Sequence, residues 1–249
     1  MFGLGLANNS SAQHFAELRF RLLWVVGFFV ISFLVAYYFA NQIYAFLLEP
    51  FLSISPSGRK LIFTSPSEVF FSYVKLAFYT AIFVSIPIAF LQLYLFLLPA
   101  LYWQEKKVAV LLLLIAPALF FIGAIFAYYL VIPLALQFFA SYETSFFSTQ
   151  SNVAQINLVL EAKISNYLDF VIDLFIGFGL AFLTPIVLLL LIKTKLIDIA
   201  SIKNKRRYVI VVIFIISAIL TPPDIFSQLI LATIMLFLFE IALFFAKFL

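Results

Sequence analysis

Between Val69 and Leu98 the chain carries a single charged side chain, Lys75. A helix of that length, about 30 residues, extends about 45 Å, more than the roughly 30 Å of hydrocarbon in a bilayer. No motif constrains the fold as strongly. Lipid offers the backbone no hydrogen-bond partner, so such a run has to bond within itself as a spanning helix. Further apolar runs repeat the pattern at Leu22–Ile43, Val108–Ile132, Tyr167–Ile192, Tyr208–Leu220 and Ile225–Phe245. The expected fold class is an all-α membrane protein, one domain over residues 1–249 with six transmembrane helices.

Prolines punctuate the runs. Pro87 predicts a bend in the second span, Pro133 closes the third, and Pro185 lies inside the fourth. The fifth run is only about 20 Å long, too short for an ordinary bilayer. Thr221-Pro222-Pro223-Asp224 joins it to the sixth as a helical hairpin, with Asp224 at a helix start. Outer loops are expected at Tyr44–Ser67 and Leu134–Asn166.

Several function classes are excluded. Only 10% of the residues are charged and 66% are apolar, whereas soluble domains carry about a quarter charged residues. The net charge of +4 therefore reports topology, not nucleic acid. Cysteine is absent and His14 is the one histidine, which closes disulfide, thiolate-metal and bis-histidine haem readings. No HExxH, GxSxG or Walker loop is present, so no enzyme, metal or cofactor is expected. Met1–Ser11 is short and uncharged, so no cleavable signal or transit peptide is expected.

Basic residues orient the spans. With the amino terminus in the cytoplasm, Arg19, Arg21, Lys106, Lys107, Lys193, Lys195, Lys203, Lys205, Arg206, Arg207 and Lys247 share that side. Arg59, Lys60 and Lys163 lie on the other. This bias places both termini on the cytoplasmic (or matrix) side.

Charges inside or beside spans need a reason. Lys75 lies a turn or two into the second span, and Asp169 and Asp173 share a face near the outer end of the fourth. Two readings stay open: snorkelling to the interface, or an intramembrane pair of Lys75 with Asp173 or with Asp169. On the cytoplasmic side Glu17 is spaced for an i,i+4 pair with Arg21. Glu105 sits in a turn, Phe96–Lys107, that holds one carboxylate among Phe96, Tyr102, Trp103, Lys106 and Lys107. A carboxylate so placed suits a cationic peptide.

Taken in order, the motifs resemble the TatC family, the multi-span receptor of the twin-arginine translocase. The matches are His14-Phe15-Ala16-Glu17-Leu18-Arg19-Phe20-Arg21-Leu22, Glu49-Pro50, Phe96-x-x-Pro99-Ala100-Leu101-Tyr102-x-x-Glu105, Phe126-Ala127-Tyr128-Tyr129, Lys205-Arg206-Arg207-Tyr208, Leu220-Thr221-Pro222-Pro223-Asp224-x-x-Ser227-Gln228 and Phe239-Glu240-Ile241. The resemblance implies a cupped six-helix bundle that binds twin-arginine signal peptides of folded cargo. It implies Glu105 as the main carboxylate, Glu17 assisting, Phe96 shaping the site, and Arg19 and Tyr102 beside them. Arginine's planar fork suits bidentate carboxylate contacts, which lysine cannot copy. Structural and partner-contact candidates are Pro50, Tyr128, Pro185, Asp224, Gln228 and Glu240. Implied partners are TatA- or TatB-type single-span proteins, membrane lipid and further copies of the chain, with energy from the proton-motive force. One position departs: many members carry Glu or Gln before the proline of the fourth span, where this chain has Leu183 in Phe182-Leu183-Thr184-Pro185.

A secondary transporter or channel for a small solute is the alternative function. It requires polar groups converging at the midplane, and none are evident. The 34 phenylalanines suggest an AT-rich genome. The expected location is the inner membrane of a mitochondrion, from an organelle-encoded gene, or a bacterial cytoplasmic membrane.

Overall fold

The computed structural model describes residues 6–54, 62, 65–97, 103–145, 163–194 and 196–247. Among them the chain forms α1 (Leu6–Tyr38), α2 (Ala40–Ile54), α3 (Pro66–Leu97), α4 (Trp103–Phe126), a π turn (Ala127–Val131) and α5 (Ile132–Ser145). It continues through α6 (Ile164–Phe182), α7 (Thr184–Lys193), α8 (Ile199–Asn204), α9 (Arg206–Leu220) and α10 (Ile225–Ala246). The described residues hold no strand beyond an isolated bridge between Ile62 and Lys163. Five helical stretches are long and apolar enough to cross a membrane: Ala16–Tyr38, Pro66–Phe96, Val110–Ser141, Ile164–Lys193 and Ile225–Ala246. The sixth, α9, has 15 residues and extends only about 22 Å.

Contacts between helices define two ends. The starts of α3 and α6 meet through Glu68 and Ser165 at what we call the cap end, with α2 packed nearby. The starts of α1, α4 and α9 and the ends of α3, α7 and α10 form the loop end, tied by Arg21–Gln92 and Arg206–Glu240 contacts.

Three stretches differ from the sequence expectation, and each contains a proline. The first span ends at Tyr38, not Ile43, and the supposed loop from Tyr44 opens with helix α2, which runs through Pro50 to Ile54. Proline has no N–H, so the carbonyl four residues back loses its donor. The Tyr128 hydroxyl donates to that carbonyl, on Phe46, at 2.8 Å. Pro133 does not close the third span, which continues to Ser145. The preceding π turn, where the Ile132 N–H bonds Ala127 O, widens the helix and moves aside the carbonyl that the proline ring would strike. The fourth span divides at Leu183, whose N–H bonds Leu180 O, and α7 restarts with Pro185 in its first turn, where no donor is needed. Pro87 lies within an unbroken α3.

Lipid gives helices no hydrophobic reason to associate, so close packing has to supply the attraction. Glycine makes it possible here. A Cβ on Gly123 of α4 would stand 2.4 Å from the backbone carbonyl of Phe178 in α6. One on Gly177 would stand 2.7 Å from Leu220 O in α9. The fourth span is thus clasped on two sides, and its Leu168, Val171, Leu174 and Phe178 are almost fully buried. A second, smaller apolar cluster joins Leu112 and Ala116 to Ile186, Leu189 and Ala246, with Leu183 against it.

Gly123→Ala is expected to force α4 from α6 and lower the melting midpoint in detergent, a cost of about 1–3 kcal/mol for overpacking. Gly27, with nothing within 4 Å of an added Cβ, should accept alanine without loss.

Candidate functional site

The loop end gathers most of the residues assigned to signal binding. Glu17 and Arg21 are one helical turn apart on α1, and Arg21 Nε donates to Glu17 Oε1 at 3.0 Å. Arg21 also reaches Gln92 Oε1 on α3 at 3.4 Å. The spacing expectation for Glu17 and Arg21 therefore holds, and Arg21 additionally bridges the first two spans. Arg19, two residues away on the helix, is exposed. Phe96 is half-buried in the last turn of α3. Glu105 falls in the first turn of α4; its side chain, like all of Tyr102, lies outside the described residues. The structure thus brings Glu17, Arg21, Gln92 and Phe96 to the end at which Glu105's helix begins.

The partner-contact candidates divide differently. Glu240 pairs with Arg206 at 3.0 Å, closing the α9–α10 hairpin at the loop end. Asp224 caps α10, accepting from the Ser227 N–H at 2.6 Å. Gln228 donates to Phe214 O at 3.4 Å and ties α10 to α9. Pro185 is buried at the start of α7. Pro50 is buried in α2, and Tyr128 is buried in the π turn.

Of the two carboxylates open to Lys75, the structure takes Asp169 and overturns the pairing with Asp173. Lys75 donates to Asp169 at 2.5 Å, not to Asp173. Asp173 has no hydrogen bond or ion pair among the described residues. The Glu68–Ser165 contact puts Lys75 and Asp173 at about the same level on α3 and α6. Helical side chains lean toward the helix N-terminus, and a long lysine follows that lean toward the polar end. It meets Asp169, one turn nearer the cap.

Sequence reasoning missed the carboxylate that organises the cap end. Glu68 is buried, accepts from Ser165 Oγ at 2.9 Å and Ser165 N at 3.4 Å, and faces Lys163 Nζ at 3.6 Å. An anion at the exposed amides of a helix start is favoured by the helix dipole. Glu68 thus caps α6 from across the bundle. In sequence it reads as an ordinary first-turn acid of its own helix, so nothing flags the reach to α6. The nearby Tyr44 hydroxyl is buried without a hydrogen bond among the described residues. Burial pushes its pKa up to about 12, with Tyr73 and Glu68 adding to the shift.

Glu68→Ala should cost about 1–3 kcal/mol in thermal melting, since it strands the Ser165 donors, and Glu68→Gln should recover part of that. Exchanging Lys75 and Asp169 should restore folding lost in either single reversal, whereas exchanging Lys75 and Asp173 should not.

The family model for Sec-independent protein translocase protein (TatC) matches residues 13–233. The TatC protein of Rickettsia prowazekii is 42% identical over 240 residues, 96% of this chain and 93% of that protein. The TatC protein of Escherichia coli K12 is 38% identical over 235 residues, 94% of this chain and 87% of its own length. A crystal structure of the twin-arginine translocase receptor TatC superposes with a TM-score of 0.76 at 35% identity, covering 94% of this chain and 98% of that one. These relatives are bacterial and give the mitochondrial expectation no support. With the five apolar spans they make the protein an integral membrane protein of the bacterial cytoplasmic membrane. Sequence over most of its length and fold together show that the chain belongs to the TatC family.

Proposed function

We propose that the protein is the receptor core of a twin-arginine translocase and binds the paired arginines of cargo signal peptides at its loop end. The observation that carries this reading is the family match across residues 13–233, which includes both Glu17 and Glu105. The geometry supports it. Two helices remote in sequence, α1 and the last turns of α3, meet at one end through Arg21 and Gln92. A guanidinium pair arriving there would find Glu105 at the start of α4, with Glu17 as a second carboxylate already hydrogen-bonded by Arg21. Incoming arginine would compete for Glu17 with an arginine of the chain itself, so Glu17 assists and Glu105 dominates. Arg19, Phe96 and Tyr102 complete the site.

The bias of the basic residues supports a cytoplasmic loop end with both termini on that side. Folded cargo then moves toward the cap end, with TatA- or TatB-type single-span proteins docking on the bundle, several copies of the chain assembling in lipid, and the proton-motive force driving the step. Gln228 and Glu240 are spent on the α9–α10 hairpin, so their contribution to docking is to hold its surface. Leu183 packs on apolar neighbours and offers a partner no polar group. No observation favours the solute-transporter alternative.

The decisive measurement is affinity of the purified protein for a twin-arginine signal peptide and its twin-lysine variant. Twin arginine should bind at least tenfold more tightly, a difference of about 1.4 kcal/mol, and Glu105→Ala should erase the discrimination. Equal binding of both peptides, indifferent to Glu105→Ala, would refute the assignment.

A further inference from the structure

We infer that Tyr128 is a positioning residue whose hydroxyl replaces the backbone amide that Pro50 lacks, and that the resulting hold on α2 is needed for transport but not for signal binding. Pro50 stands inside α2 and leaves the Phe46 carbonyl without its intrahelical donor. Tyr128 Oη donates to that carbonyl at 2.8 Å, with Glu49 Oε2 farther off at 3.5 Å. The Tyr128 ring lies flat on the Phe46 ring, centroids 4.6 Å apart and planes 12° from parallel. Tyr167 of α6 donates to the next carbonyl, Leu47, at 2.6 Å. Two phenols, from the third and fourth spans, thus hold consecutive carbonyls of one short helix.

Tyr128 can do this because it lies in the π turn. The extra residue of a π turn resets the helix by about 100° relative to an uninterrupted α-helix. That reset lets Tyr128 meet α2 while Val131, Ile132 and Ala135 beyond it stay fully buried. Removing it would sacrifice one set of contacts or the other. The same turn accommodates Pro133. One π turn therefore serves both prolines, Pro133 through its backbone and Pro50 through its Tyr128 side chain.

The third span, α4 through the π turn to α5, is helical without a gap from Trp103 to Ser145. It begins at the loop end and ends at the cap end. From Glu105 to Tyr128 the chain advances 23 residues, about 35 Å along the helix, too far for Tyr128 to touch an arginine pair bound at Glu105. Loosening α2 should consequently leave binding intact.

A double-mutant cycle in the full-length protein tests this, and its transport arm rests on the translocase reading above. Melting midpoint in detergent, twin-arginine peptide affinity, and transport of a twin-arginine reporter in membranes with the partner proteins are measured for Tyr128→Phe, Pro50→Ala and both together. Tyr128→Phe alone should lower the midpoint and slow transport severalfold while affinity stays unchanged. Alanine at position 50 returns an amide to Phe46, so in that background Tyr128→Phe should change the midpoint and transport little. An equal loss in both backgrounds, wild-type behaviour of the Tyr128→Phe protein, or weakened peptide binding by Tyr128→Phe would overturn the inference. If Tyr128→Phe fails to accumulate, recovery of the protein by Pro50→Ala supports the coupling and continued failure overturns it. The melting cycle stands whether or not the peptide distinguishes arginine from lysine, so failure of the functional reading remains separately visible.

Discussion

In hydrocarbon an unpaired backbone carbonyl has no water to turn to, and each one costs several kcal/mol. That constraint governs this protein because its helices are interrupted by prolines, each of which deletes a donor. The solutions differ with position. Pro66 and Pro185 stand at helix starts, where no intrahelical donor is missed. Pro222 and Pro223 form the turn between α9 and α10. Pro133 is absorbed by a π turn. Pro50 is served by a tyrosine from another span. Pro87 and Pro117 instead both line an apolar cavity of about 220 Å³, together with Ile88, Phe90, Leu91, Tyr94 and Leu114.

Polar contacts concentrate at the two ends of the bundle and packing fills the middle. Glu68 with Ser165 and Lys163, and Lys75 with Asp169, join α3 to α6 at the cap end. Arg21 with Gln92, and Arg206 with Glu240, join helices at the loop end. Between them the fourth span is held by glycine contacts, by Phe120 against Gly179 and by Phe126 against Phe178. This division follows from cost: ion pairs near the interface keep some access to water, whereas buried ones must recover their full desolvation. It also lets the hydrogen bonds of the loop end change partners without touching the core.

The sequence by itself determined that the chain lives in a membrane, roughly where its helices run, and which end carries basic charge. Those are properties of composition and length, and lipid enforces them locally. It also located Glu17 with Arg21, because a helix fixes what stands four residues away. Ordered motifs from His14 to Glu240 carried the family, since a set spread over so much of the chain does not recur by chance. Tertiary structure alone decided the rest. Pro50 and Pro133 read as breaks because local rules count only donors within the same helix; the Tyr128 hydroxyl and the extra residue of the π turn come from elsewhere or add a register no periodicity shows. Lys75 had two carboxylates within sequence-plausible reach, and the relative register of α3 and α6 chose Asp169. Glu68 reads only as a first-turn acid of its own helix, and the fold alone brings α6 beside it. In each case the deciding partner is distant along the chain and adjacent only in the fold.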